Sequence, residues 1–402
     1  MPGPASGRNT SVTRIPLSLY VHIPWCEKKC PYCDFNSHAR QQSIPEGAYV
    51  ACLLDDLDQE LPGIWGRRLS SVFIGGGTPS LLSPAGVGSI ISGIRARIPS
   101  TPEMEITLEA NPGSSEALKF EEFRSAGVNR LSIGVQSFND ALLGGIGRIH
   151  DGATARRAVE AAAGAGFDNF NLDLMYGLPG QSREMAAEDV EQALAFDPPH
   201  LSCYQLTIEP NTEFAVRTPV LPGEDLAWEM QEQLERMLEK REFTNYEVSA
   251  FARDGRYCRH NLNYWQFGDY VGIGAGAHSK LTLHGRITRT WKLKHPRTYM
   301  KTAATAERIG GDKLLSDDDA GFEFMMNALR LRQPVTGSLF RERTGLPLSR
   351  YESILEQAQA DGLLEFDGSR IAVTPHGRRF LNDLMQRFLP EPDGLISTQS
   401  PT

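Results

Sequence analysis

The stretch Tyr20 to Asn36 reads YVHIPWCEKKCPYCDFN and carries three of the chain's six cysteines. Cys26, Cys30 and Cys33 stand at Cys-x3-Cys-x2-Cys spacing, directly after a short β-rich run from Leu17 to Ile23. Three thiols that close together in one loop suit a metal. Structural zinc takes four closed ligands, and His22 and His38 flank this loop without the spacing of a zinc finger. A 4Fe-4S cubane is normally held by four thiolates, so a three-cysteine loop leaves one iron open to a further ligand. The bland alternative is three buried thiols, or a disulfide with one thiol to spare. Against it, Pro31 and Tyr32 leave little chain between Cys30 and Cys33 in which to hide them.

Outward from the loop, the 402 residues suffice for a large domain and a smaller second one. Hydrophobic residues make up 40% and charged residues 23%, the balance of an ordinary globular protein. The sequence has no spanning apolar run and no signal-peptide core, so the expected compartment is the cytoplasm. A net charge of -9 gives no basic footprint, which removes nucleic acid as a partner. Cys52, Cys203 and Cys258 are scattered and read as small buried hydrophobes. Residues 1–14 and 391–402 read as a disordered leader and tail.

Between them, runs rich in Val, Ile, Leu, Phe and Tyr recur at Leu17 to Ile23, Val72 to Ile74, Glu105 to Leu108, Arg130 to Val135, Phe170 to Met175 and Leu201 to Thr207. Amphipathic segments separate them: Ser83 to Ile98, Ser115 to Ala126, Ala153 to Ala165 and Arg183 to Phe196. Six βα units predict a parallel sheet curled into a partial (β/α)6, TIM-like barrel over residues 15–245. Ligands of such barrels collect at the strand C-termini. Each of the first five strands ends in polar or glycine-rich sequence: the cysteine loop, Gly75 to Ser80, Glu109 to Pro112, Gly134 to Ser137, and Asp173 to Gly180. Residues 246–290 read as barrel edge and linker. Residues 291–390 read as charged and helical, with helices at Ala320 to Leu331 and Ser349 to Ala360, a hairpin turning at Asp367-Gly368, and a closing helix from Arg378 to Phe388. That order suggests a small α+β, winged-helix-like domain, a lid or docking piece.

The cysteine loop, the Gly75-Gly76-Gly77-Thr78-Pro79 stretch and their order resemble the radical S-adenosylmethionine (SAM) superfamily. The resemblance runs from Leu17 to about Leu389 and is specific to the coproporphyrinogen III dehydrogenase-like branch. It implies a 4Fe-4S cluster on Cys26, Cys30 and Cys33 whose fourth iron is chelated by SAM. It implies that Gly76, Gly77 and Thr78 meet the SAM amino group, and that Tyr20, Glu109, Gln136, Arg148 and Asp173 also contact SAM. Carboxylates accept ribose hydroxyls, and an arginine pairs with a carboxylate in a fork geometry.

The branch holds oxygen-independent coproporphyrinogen III dehydrogenases, which act in porphyrin biosynthesis, and heme chaperones of the HemW type, which deliver heme to respiratory hemoproteins. The dehydrogenases carry a further cysteine two residues after the third ligand, where this chain has Phe35. The chaperones carry a His-Asn-x-x-Tyr-Trp motif, complete here as His260 to Trp265. The resemblance therefore implies a heme chaperone, with a radical SAM dehydrogenase as the alternative. Whether SAM is cleaved, and so whether the chain is an enzyme, stays open. Heme and recipient hemoproteins are the expected partners, reached without a transmembrane segment and compatibly with peripheral membrane contact. His260 is the expected heme-binding residue, placed near the open side of the barrel, with His278 and His295 as the competing ligands.

Overall fold

The computed structural model describes residues 15–40, 43–113 and 118–390. The leader and tail expected at the termini lie outside the described residues. Six parallel strands follow one another: β1 (Leu17–Ile23), β2 (Leu69–Gly76), β3 (Ser100–Ala110), β4 (Arg130–Gln136), β5 (Phe170–Tyr176) and β6 (His200–Gln205). The longest helix in each connection is α1 (Glu46–Ile64), α2 (Pro84–Arg97), α3 (Phe120–Ala126), α4 (Gly152–Gly164) and α5 (Arg183–Leu194) in turn, and α6 (Glu224–Glu239) follows β6. The start expected for α3 at Ser115 falls outside the described residues.

Alternation explains the layering. Along β1, Leu17, Leu19, Val21 and Ile23 join the core shared with the helices, while Tyr20 and His22 face a central lumen. Helix starts follow their caps: Ser83 accepts the Gly86 amide at α2, Asp151 that of Thr154 at α4, and Ser182 that of Met185 at α5.

The sheet extends beyond the six strands on both edges. Thr244–Asn245 (β7) and Ala250–Ala252 (β8) add antiparallel strands outside β6. The chain then crosses the N-terminal end of the barrel in α7 (Arg259–Trp265) and returns as β9 (Asp269–Ile273), parallel to β1. Strands β10 (His278–Leu283), β11 (Arg286–Lys292) and β12 (Ile309–Leu314) continue antiparallel, giving the order β12-β11-β10-β9-β1-β2-β3-β4-β5-β6-β8-β7. The change of pattern expected near Trp291 thus falls inside β11, and the sheet runs to Leu314. The charges there misled because they are buried. Lys292 of β11 pairs with Asp56 of α1 at 2.9 Å, and Arg308, in the turn before β12, pairs with Asp56 at 2.8 Å and Glu60 at 2.6 Å.

A second core centres on Phe324, Phe340, Tyr351 and Leu355 and takes in Phe267 and Ile287 from the edge of the large sheet. Around it lie α8 (Asp317–Ala328), α9 (Gly337–Thr344) and α10 (Glu352–Ala360). A three-stranded sheet completes this small domain, with β15 (Arg370–Val373) between β13 (Val335–Thr336) and β14 (Leu364–Phe366). The single closing helix expected from Arg378 is instead two, Pro375–Arg379 and Leu381–Gln386, broken where Phe380 leaves helical geometry at φ -112°, ψ 35°. Among the described residues no helix is long and apolar enough to cross a membrane.

Candidate functional site

The cysteine loop is built onto the C-terminal end of β1. Trp25–Cys26 pairs with His38–Ala39 and closes the loop on itself. His22 joins its Nε2 to the Asn36 carbonyl at 2.8 Å and its Nδ1 to the Tyr20 hydroxyl at 3.0 Å. Burial lowers its pKa to about 4, so a neutral ring donates to the carbonyl and accepts from the phenol. Asn36 donates to the carbonyls of Ala275 and Lys294, both at 2.9 Å, tying the loop to the β9 edge.

All six cysteines are free thiols, which removes the disulfide alternative. Cys26, Cys30 and Cys33 line one cavity of about 300 Å³. Among the described residues no three His, Cys, Asp or Glu side chains gather as a single metal ion would need. Three thiols lining one cavity are a ligand set that a polynuclear cluster could take. Burial pushes the Cys26 and Cys33 thiols up, and a cation among them would reverse that, a condition that an iron cluster meets.

The same cavity is lined by Gly76, Gly77, Thr78, Glu109, Gln136, Arg148 and Asp173. The glycines are there because strand and loop come too close for side chains. A Cβ on Gly77 would lie 2.5 Å from the Trp25 carbonyl oxygen, and Gly76 sits at φ 118°. The Gly77 and Thr78 amides donate to the carbonyls of Ile23 and Trp25, both at 2.7 Å. Arg148 donates to Asn111 Oδ1 and the Gly134 carbonyl, both at 2.8 Å, and lies 3.7 Å from Cys30 Sγ. Its buried Nε has no hydrogen-bond partner. Asn111 donates in turn to Thr78 Oγ1 at 2.7 Å. Gln136 adopts φ 68°, an uncommon conformation for a non-glycine residue and one that clusters at functional sites.

Two carboxylates face each other across this space. Burial, reinforced by the Asp173 charge, pushes Glu109 up to about 8, although the Gly76 amide donates to it at 3.0 Å. Asp173 is also raised by burial, against hydrogen bonds from Asn171 at 2.8 Å and Ser132 at 3.2 Å. The arrangement favours a ligand that brings hydroxyl donors or a cation.

Tyr20 and His260 lie elsewhere, in an adjoining lumen cavity of about 1310 Å³ that also reaches Gly76, Glu109 and Asp173. His260 is not at the open side of the barrel. Helix α7 closes the N-terminal end, because Glu105, paired with Ser71 near the start of β2, accepts the amides of Arg259 at 3.0 Å and His260 at 3.4 Å, and Asn263 donates to Ser18 at 3.0 Å. His260 therefore points up from the lumen floor, its ring 5.0 Å from that of Phe73 and 6.2 Å from that of Tyr20. Burial, then the Arg130 charge, lowers its pKa to about 3, leaving a neutral imidazole. Tyr264 and Trp265 line the same cavity, as does His278, while His295 lines a separate one beside His38. Phe35, 57% exposed, stands where the two site cavities adjoin.

Sequence reasoning passed over Asn111, Tyr204 and Arg130. The first bridges Thr78 to Arg148, and the position after the Glu109 strand end was its one signal. Tyr204 lines both cavities, and Arg130 lines the lumen at the start of β4.

Comparison with known proteins bears on this geometry. The family model for the radical SAM superfamily matches residues 20–193, and that for the HemN C-terminal domain matches 315–380. The heme chaperone HemW of Escherichia coli K12 is 49% identical over 377 residues, 94% of this chain and 99% of that protein. HemW of Haemophilus influenzae is 47% identical over 94% and 98%. A mouse protein, radical S-adenosyl methionine domain-containing protein 1, mitochondrial, is 34% identical over 93% and 87%. Among solved structures, Escherichia coli coproporphyrinogen III oxidase (HemN) superposes with a TM-score of 0.79 over 95% of this chain and 92% of that one, at 24% identity, a likeness of fold. With near-complete coverage at such identity, the chain belongs to the HemW family of radical SAM proteins.

Proposed function

We propose that this chain is a heme chaperone. It binds heme in the barrel lumen and passes it to respiratory hemoproteins from the cytoplasm, meeting membrane-bound recipients by peripheral contact. Cys26, Cys30 and Cys33 hold a 4Fe-4S cluster. Gly76, Gly77, Thr78, Glu109, Gln136, Arg148 and Asp173 hold SAM against its open iron, with Tyr20 bordering the ligand from the lumen. When bound, such a cluster supplies an open coordination site and a one-electron reductant.

The observation that carries the reading is the lumen. Its volume of about 1310 Å³ exceeds the roughly 300 to 1,000 Å³ of ordinary small-ligand clefts. Aromatic rings of Tyr20, Phe73, Tyr264 and Trp265 line it beside a neutral His260 imidazole, a set that suits a flat macrocycle carrying a metal. The relatives named as heme chaperones support the same reading.

The test is an anaerobic hemin titration followed in the Soret band. Parent protein saturates, His260→Ala shifts the band and weakens binding, and His278→Ala matches the parent. An unchanged spectrum and affinity in His260→Ala moves the iron ligand elsewhere. A parent that binds no hemin but releases 5′-deoxyadenosine from SAM, and consumes coproporphyrinogen III, returns the dehydrogenase alternative.

A further inference from the structure

Arg130 is the buried cation that nothing in the site explains. It is 1% exposed, its buried Nε has no hydrogen-bond partner, and among the described residues it forms no ion pair. An arginine cannot shed its charge by deprotonating. A buried, unpaired guanidinium is strongly unfavourable, so a site that keeps one is poised for an anion.

The two carboxylates that attract Arg130 from a distance make no hydrogen bond or ion pair to it and are engaged elsewhere. Glu105 accepts the Arg259 and His260 amides, with the Cys258 thiol 3.7 Å away, and Asp173 accepts from Asn171 and Ser132. The two nearby histidines add no counter-charge. His200 is locked between Asn171 at 2.6 Å and the Tyr246 hydroxyl at 2.8 Å, and both His200 and His260 are held neutral, in part by Arg130 itself. The guanidinium lines the 1310 Å³ cavity, at the level of Thr107 near the lumen floor.

We propose that the lumen floor is a carboxylate-binding subsite, in which the Arg130 guanidinium pairs with a carboxylate of the bound ligand. The planar fork of arginine matches a carboxylate, and in a water-poor pocket that pair gains strength from both charges. The proposal rests on reading the lumen as the heme site, and a heme propionate is then the group that reaches Arg130.

The test compares hemin with hemin dimethyl ester, whose propionates carry no charge. Parent protein prefers hemin by about tenfold or more, the worth of one charge-assisted hydrogen bond. Arg130→Gln loses that preference, and Arg130→Lys, which keeps the charge without the fork and guards against a misfolded Gln variant, retains part of it. Equal affinity of the parent for both porphyrins, or an unchanged preference in Arg130→Gln, overturns the subsite and leaves the heme reading standing. If the parent binds neither porphyrin, the heme reading fails, and sodium 3-phenylpropionate then decides the subsite. A saturable NMR shift of the Arg130 Nε–H, assigned by its loss in Arg130→Lys, sustains it; no shift overturns it.

Discussion

Replacing Glu109 by Gln should flatten the pH dependence of the ligand-free protein's stability. In the folded chain burial and the neighbouring Asp173 raise the Glu109 carboxyl from 4.5 to about 8. Between those values the folded protein holds a proton that the unfolded chain has released. Stability is therefore greatest below the unfolded value and falls as pH rises through the window, levelling off above about 8. At about 1.4 kcal/mol per pH unit the loss is on the order of 5 kcal/mol. Asp173, also raised by burial, adds in the same direction. In Glu109→Gln the side-chain amide would keep a carbonyl oxygen for the Gly76 amide without the ionisation. Urea unfolding at about pH 5.5 and about pH 8.5 measures the difference, with parent losing several kcal/mol and the variant losing much less. A parent whose stability is the same at both pH values, or a variant that falls as steeply, refutes the reasoning. The same proton predicts that SAM affinity rises with pH across the window, if SAM donates to the Glu109 carboxylate.

Cys26→Ala, Cys30→Ala and Cys33→Ala should each collapse iron content after anaerobic reconstitution, whereas Cys52→Ala, Cys203→Ala and Cys258→Ala should not; iron retained without Cys30 but lost without Cys203 would reverse the assignment. Arg148→Ala should weaken SAM binding by about 1.5 to 3 kcal/mol in calorimetry, the worth of a hydrogen bond to a charged group. Gly77→Ala should destabilise by about 1 to 3 kcal/mol and lower iron occupancy, because its Cβ would lie 2.5 Å from the Trp25 carbonyl. Gly164→Ala, with nothing within 4 Å, is the thermal-unfolding control and should be neutral or slightly stabilising.

Much of this was legible because it is local. The cysteine spacing lies within a few residues, helix starts at Ser83 and Ser182 follow cap chemistry, and the strands β1 to β6 show as apolar runs because their outward residues all enter one core. What stayed hidden depends on distant partners. No local pattern says that β9 will leave the sixth-strand side and pair with β1, which carries α7 across the floor and moves His260 from rim to base. Lys292 and Arg308 look like surface charges until Asp56 and Glu60 of α1 are placed against them. Arg130 opens a strand, and which face it takes follows from register alone.

The lumen itself reverses the usual pattern of a barrel. In filled barrels, inward side chains form layers of branched apolar residues that serve as core. Here the paired register puts Ser18 and Ser71 beside Glu105, then Tyr20 and Phe73 beside Thr107 and Arg130, then His22 and Gly75 near Glu109 and Ser132. Such layers cannot drive folding by hydrophobic burial, so that work falls to the outward faces of the strands and to the ion pairs that fasten the edges. At the β9 edge, Asp269 is gripped by Arg67 at 2.7 Å and Lys280 at 3.0 Å. Breaking one partner of so buried a set is expected to cost about 3 to 5 kcal/mol. Lumen and edge substitutions should therefore separate: Arg67 lines neither site cavity, so Arg67→Ala acts on stability, while Arg130→Gln acts first on what the lumen binds.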